Sequence, residues 1–245
     1  MFGLNLNRKQ KLDYAGQRVT ARLNCRLMPM DRGDIYEDPL DALVKKAELG
    51  EVTGGGTQLG ESGEADFCDI EMTLYERTPD NLQKVAQMLE TFGAPKGSKL
   101  LLEGSVREVE FGLNEGLAIY IDGVGLPDEV YDACDFDTVV VELTRCLGDK
   151  GQYHGFWQGD RDTAVYLYGP SFEEMNAAIA PFLASYPLCR NARVEQIALE
   201  NTGAGGTQWH QARLRQLERV HAPAALQGHL HEAAASGADS IKKLR

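Results

Sequence analysis

From Asp66 to Tyr75 apolar and polar residues alternate. Cys68, Ile70, Met72 and Leu74 share one side, and Phe67, Asp69, Glu71, Thr73 and Tyr75 the other. A period of two predicts a half-buried strand with the Cys/Ile/Met/Leu side inward. The period then changes. Leu82, Val85, Ala86, Leu89 and Phe92 fall on one helical face, preceded by Thr78 as a cap with Pro79 in the first position and followed by Gly93 as a stop. The same succession returns 93 residues later. Leu74-Tyr75 falls on Leu167-Tyr168, Thr78 on Ser171, and Leu82, Val85 and Leu89 on Met175, Ala178 and Phe182. Ser171 and Glu174 have the spacing of a capping box for a helix to about Ser185.

Around these copies the pattern predicts further elements. Val19, Ala21, Leu23, Cys25 and Leu27 alternate in a strand over Gln17–Met28. Asp31–Tyr36 is expected as a loop, and a helix capped by Asp38 runs from Pro39 to Leu49. Glu51–Leu59 is a strand ending in a turn at Gly60–Gly63, and Lys99–Leu102 is a short strand. Arg107–Phe111 and Leu117–Ile121 flank a Gly-bounded turn as a hairpin. Asp128–Cys134 and Thr138–Leu147 are helical, the second capped by Asp135 or Asp137. Gln152–Gln158 and Arg193–Ala198 complete the second copy, and a helix is expected over Thr207–His221. The fold class is therefore α+β: two ββαβ-type repeats, related to ferredoxin-like folds, in a pseudo-duplicated sheet-and-helix body. One continuous sheet and two packed lobes both satisfy the pattern. The segments are an N-terminal arm and strand (1–36), a first repeat (37–125), a helical connector (126–150), a second repeat (151–200) and a helical tail (201–245).

Charge is uneven over the 245 residues, whose net charge is -12. Residues 31–142 hold 26 acids and eight bases, while the first 30 residues hold six bases and one acid. Such a middle repels phosphates, so no nucleic-acid partner is expected. It suits solubility, cations or a basic protein. The five cysteines form no C-x-x-C pair, which fits a reducing compartment. With neither a signal-like segment nor a membrane-length apolar run, a cytoplasmic protein without membrane contact is expected.

Three groups of residues are candidates for chemistry. Gly54, Gly55 and Gly56 could present backbone N–H groups to an anion. They lack the Gly-Lys-Ser/Thr of a phosphate loop and the full G-x-G-x-x-G of a dinucleotide site, so a bulged or closely approached strand is the plainer reading. Asp69 and Glu71, alternate on one strand face, could hold a divalent cation or simply face solvent. Tyr153, His154 and Trp157, with Tyr166 and Tyr168, could form an aromatic platform or pack in the core. No catalytic residues, metal site or cofactor are assigned.

Several stretches resemble a bacterial family of unassigned function: Gly50-Glu-Val-Thr-Gly-Gly-Gly-Thr57, Phe67-Cys-Asp-Ile-Glu71, Gly93-Ala-Pro-Lys-Gly-Ser98, Phe111-Gly-Leu-Asn-Glu-Gly-Leu-Ala-Ile-Tyr120 and Leu126-Pro-Asp-Glu-Val-Tyr131. The resemblance covers about residues 37–198 and implies no activity. It implies that the basic arm and the tail are additions to a common core.

Duplication, an acidic middle and the lack of a catalytic motif together point to a non-catalytic protein-binding module. Its concrete form is an immunity or antitoxin-type protein that neutralises a basic partner. The alternatives are a metal-assisted hydrolase using Asp69, Glu71 and His154, and a small-molecule sensor with its ligand between the repeats.

Overall fold

A computed structural model describes residues 16–198. The expected arm before Gly16 and tail helix after Ala198 lie outside the described residues. The nine strands are β1 (Gln17–Leu23), β2 (Gly50–Leu59), β3 (Ala65–Leu74), β4 (Ser98–Leu102), β5 (Glu108–Phe111), β6 (Glu115–Asp122), β7 (Gln152–Gln158), β8 (Asp162–Gly169) and β9 (Arg193–Ile197). The helices are α1 (Pro29–Arg32), α2 (Asp38–Lys46), α3 (Pro79–Thr91), α4 (Asp128–Ala133), α5 (Phe136–Leu147) and α6 (Phe172–Ser185).

These strands form two antiparallel sheets, ordered β2-β3-β1-β4-β5 and β7-β8-β6-β9. Each half runs strand, helix, two strands, helix, strand, with the first strand at the centre beside the third and fourth. That is the ferredoxin-like βαββαβ arrangement, present twice. β5 extends the first copy. The ββαβ units of the sequence are the last four elements of each copy. Each lacks its central first strand, because β1 and β6 show no detectable sequence repetition.

The expected hairpin of Arg107–Phe111 with Leu117–Ile121 does not form. β5 pairs with β4, and β6 pairs with β8 and β9 in the other sheet. Gly112 explains the divergence. Its φ is +102°, and a Cβ there would lie 1.9 Å from the Pro95 carbonyl oxygen, so only glycine lets the chain cross the end of α3 into the second sheet.

The expected loop at Asp31–Tyr36 is helical. α1 continues through a π-helical turn at Gly33–Glu37 into α2. Asp38 is therefore not a cap, and its N–H reaches back five residues to the Gly33 carbonyl. Pro39 supplies the reason. It has no N–H and crowds the preceding turn, and a wider turn accommodates both. The other caps form as expected: Thr78 accepts from the Asn81 N–H, Asp135 from Thr138 and Ser171 from Glu174. The Ser171 hydroxyl also donates to the Glu173 carboxylate at 3.2 Å.

Packing follows the alternation. In the first half Val19, Ala21, Leu23, Cys68, Ile70, Met72 and Leu74 are buried with Leu40 and Val44 of α2 and Leu82, Val85 and Leu89 of α3. In the second half Leu117, Ile119, Ile121, Val165 and Leu167 pack on Val139 and Leu143 of α5 and Met175 and Ile179 of α6. Each fully buried aliphatic side chain contributes about 1.5–3 kcal/mol. The remaining face of the second sheet carries Ala118, Tyr120, Ala164, Tyr166 and Tyr168, which join the core of the first half. Among the described residues, one sheet thus has both faces covered, and the other has one. No helix among the described residues is long and apolar enough to cross a membrane.

Candidate interaction surface

The face of the first sheet opposite α2 and α3 is ordered by strand register. One row across it reads Gly56, Asp69, Arg22, Lys99, Glu110, and the next Gly54, Glu71, Thr20, Leu101, Glu108. Glu51, Thr73 and Arg18 begin a third. Bases on β1 and β4 are therefore flanked by acids on β2 and β3 and on β5.

Two ion pairs stiffen the middle. Arg22 makes two 2.9 Å bonds to the Asp69 carboxylate while its guanidinium lies 4.1 Å above the Phe67 ring. The Lys99 ammonium meets Glu108 at 2.7 Å. Asp69 is thus neutralised in place, whereas Glu71 and Glu110 are exposed at the sides.

The three glycines of β2 divide by face. Among the described residues a Cβ on Gly54 or Gly56 would meet nothing within 4 Å, so the open face there is a bare backbone lane beside Glu71 and Asp69. A Cβ on Gly55 would lie 2.7 Å from the Asp69 carbonyl oxygen, 2.5 Å from the Glu37 carboxylate and 3.0 Å from Arg32. Gly55 thereby admits the Arg32–Glu37 ion pair against the strand, the close approach that the sequence allowed. Gly55→Ala is expected to destabilise the fold by about 1–3 kcal/mol. Gly56→Ala should stay within about 0.5 kcal/mol of the parent. Denaturant midpoints of the two variants check this, and equal midpoints would remove the distinction.

Tyr153, His154 and Trp157 lie elsewhere, on β7. A bulge between Tyr153 and Gly155 turns the strand, so Tyr153 packs on the helical side and His154 on the side of the tyrosines. The His154 ring sits 4.9 Å from Tyr168 and 6.0 Å, edge-on, from Tyr36 of the first half. It is 2% exposed, and among the described residues neither ring nitrogen has a hydrogen-bond partner. Burial lowers its pKa to about 4. Trp157 is half-buried and packs on the first core. His154 is thus interior, while Asp69 and Glu71 face outward. Among the described residues no cluster of His, Cys, Asp or Glu has the arrangement to hold a metal ion.

The most elaborate polar contact lies at the seam between halves, and it joins Tyr166 and Tyr168 of the expected aromatic group to Glu64, Arg26 and Tyr120, for which the sequence suggested no role. Glu64, between the Gly60–Gly63 turn and β3, accepts on one oxygen from Arg26 at 2.5 Å, Tyr166 at 2.7 Å and Tyr120 at 2.8 Å. The Tyr168 hydroxyl accepts from the Arg26 N–H at 2.9 Å. Burial, then the adjacent Glu64 carboxylate, pushes the Tyr120 phenol up to about 12 and Tyr166 higher still. Both therefore remain hydrogen-bond donors. Beside this knot a polar recess of about 280 Å³ is bordered by Asn24, Arg26, Asp66 and Gln196.

No family model matches the chain, and no curated protein does. Solved structures similar to it include an unknown protein from Galdieria sulphuraria (10% identity over 75% of this chain and 98% of that one, TM-score 0.25). The first two RRM domains of the yeast poly(U)-binding protein Pub1 match at 10% identity, over 74% and 99% of the two chains, with a TM-score of 0.23. A mutant chlorite dismutase from Candidatus Nitrospira defluvii matches at 12% identity, over 79% and 96%, with a TM-score of 0.25. At these identities and TM-scores none of them brings a function to this chain.

Proposed function

We propose that the protein is a non-catalytic binding module that docks a basic protein segment on the uncovered face of its first sheet. The uncovered face itself carries this reading: its partner face in the second half is committed to the interior, whereas this one displays five acids and three bases. Two of the acids, Asp69 and Glu108, are neutralised by Arg22 and Lys99. The lane over Gly54 and Gly56 admits a long cationic side chain to the strand backbone, with Glu71 beside it. Attraction of this kind favours fast, salt-sensitive association. Neutralisation of a basic toxin, as by an immunity or antitoxin-type protein, is the specific form that fits this surface chemistry.

The test compares full-length protein with Glu71→Lys/Glu110→Lys, and with a control reversing Glu129 and Glu173 in the second half. The parent and the control should retain the same basic partner from native lysate, and release it as salt rises from about 0.05 to 0.5 M. The face variant should lose at least tenfold of that capture, on the order expected for removing complementary charges. Equal retention by all three proteins, or retention insensitive to salt, would sink the proposal.

A further inference from the structure

Cys25 and Cys68 are both fully buried. Leu23 stands opposite Cys68 in the β1–β3 register, so the chain leaving β1 passes directly over Cys68. The Cys68 Sγ lies 3.2 Å from the Leu27 carbonyl oxygen and 3.6 Å from that of Cys25, and both cysteines belong to the same buried core. A thiol that merely fills core space has apolar neighbours. Cys68 instead has Thr57 Oγ1 at 3.8 Å, and that hydroxyl accepts from Arg32 at 2.7 Å. Arg32 is itself 8% exposed. Thr57 is half-buried on the edge strand β2, which sets Cys68 one side chain from solvent.

We propose that Cys25 and Cys68 are a redox pair that a hydroperoxide closes into a disulfide between β3 and the segment following β1. The Cys68 thiolate attacks one peroxide oxygen, the O–O bond breaks, and for hydrogen peroxide water leaves after protonation. Cys25 then attacks the resulting sulfenic sulfur, forming the S–S bond and releasing a second water. Two electrons pass from the thiols to the peroxide. The order of attack follows from the surroundings. Arg32, held on the Thr57 hydroxyl beside Cys68, favours a thiolate there, while burial raises the pKa of Cys25. Nucleophilic attack requires the thiolate. The bond would tether the residue preceding Arg26, which holds Glu64 and Tyr168, so oxidation would act on the seam between the halves.

The full-length reduced protein is treated with hydrogen peroxide, alkylated and digested with trypsin without reductant. The expected product joins peptide 23–26 to peptide 47–77, has lost two hydrogens, and separates on adding dithiothreitol. Cys68 should be consumed at least about tenfold faster than Cys189, whose thiol burial pushes up to about 11. In Cys25→Ser, Cys68 should instead react with dimedone as a sulfenic acid. The parent measurement needs no variant to fold. Recovery of Cys25 and Cys68 as free thiols while Cys134 or Cys146 is oxidised would overturn the proposal, as would a Cys68 link to any other cysteine.

Discussion

Glu64→Ala is expected to destabilise the fold by about 3 kcal/mol, measured as a lowered denaturant midpoint at pH 7. One carboxylate oxygen serves Arg26, Tyr120 and Tyr166 together. Its removal leaves a partly buried cation and two buried hydroxyls to find other partners. Breaking one side of a buried ion pair typically costs 3–5 kcal/mol. The lower end applies because the Arg26 side chain is 29% exposed and can recruit water. Tyr166→Phe removes a single donor and should cost only about 1 kcal/mol. The two losses should be non-additive, since both act on one oxygen. A Glu64→Ala protein within about 0.5 kcal/mol of the parent would mean that the seam is held by apolar contact alone.

Asp31→Asn is expected to steepen the loss of stability on acidification relative to the parent. The fold holds His154 neutral, with its pKa at about 4 against an ordinary 6.5. Unfolded chains therefore bind the extra proton first, and this stabilisation, complete above pH 6.5, is lost as pH falls towards 4. The loss is roughly 3 kcal/mol. Asp31 works in the opposite sense. Burial, and then Asp34, raises its carboxyl pKa from 3.8 to about 6, so the folded state gains stability as pH falls from 6 to 3.8. That gain is about 2 kcal/mol once its partial exposure is allowed for. The groups around His154 are the phenols of Tyr36 and Tyr168. The Asp31 carboxylate lies against the neighbouring Gly155, so close that a Cβ there would be 2.6 Å from it. Urea unfolding of both proteins between pH 7 and 4 checks the difference. Parallel curves would show that Asp31 contributes nothing to the pH dependence, and a His154 ring resonance titrating near 6.5 would separately remove the histidine's part.

The contrast between these two sites shows what the sequence could reveal. β3 and α3 were legible because burial there follows local period: Cys68, Ile70, Met72 and Leu74 at two, Leu82, Val85 and Leu89 at three and four. The β5–β6 connection was misleading for the same reason. Two alternating segments around a Gly-bounded turn look like a hairpin, and only pairing partners tens of residues away decide otherwise. Asp69 and Glu71 could be placed on the outward side of β3 because alternation identifies that side of a strand, whereas Gly54 and Gly56 stood out only as part of a glycine run, without a facing. Tyr153, His154 and Trp157 were ambiguous because the bulge at His154 reverses the alternation. Glu64 was invisible: an acid after a glycine turn reads as a solvated loop residue, and its partners lie 38, 56 and 102 positions away. The 93-residue echo did carry one unused hint. Tyr168 stands where the first copy has exposed Tyr75, so the duplicated scaffold presents the same residue type to solvent once and to its sister copy once.

The core of the first half takes Ala118, Tyr120, Ala164, Tyr166, Tyr168 and Ile197 from the second. The two copies are therefore not interchangeable modules. The boundary drawn by their topology runs through a shared interior, and a residue inherited at the same position in both experiences solvent in one copy and a close-packed environment in the other. After such a duplication the open face of one copy is free to change with whatever it meets outside. The matching face of the other can change only in step with its sister, so variation among related chains should gather on β2, β3 and β5 and thin out on β6 and β8.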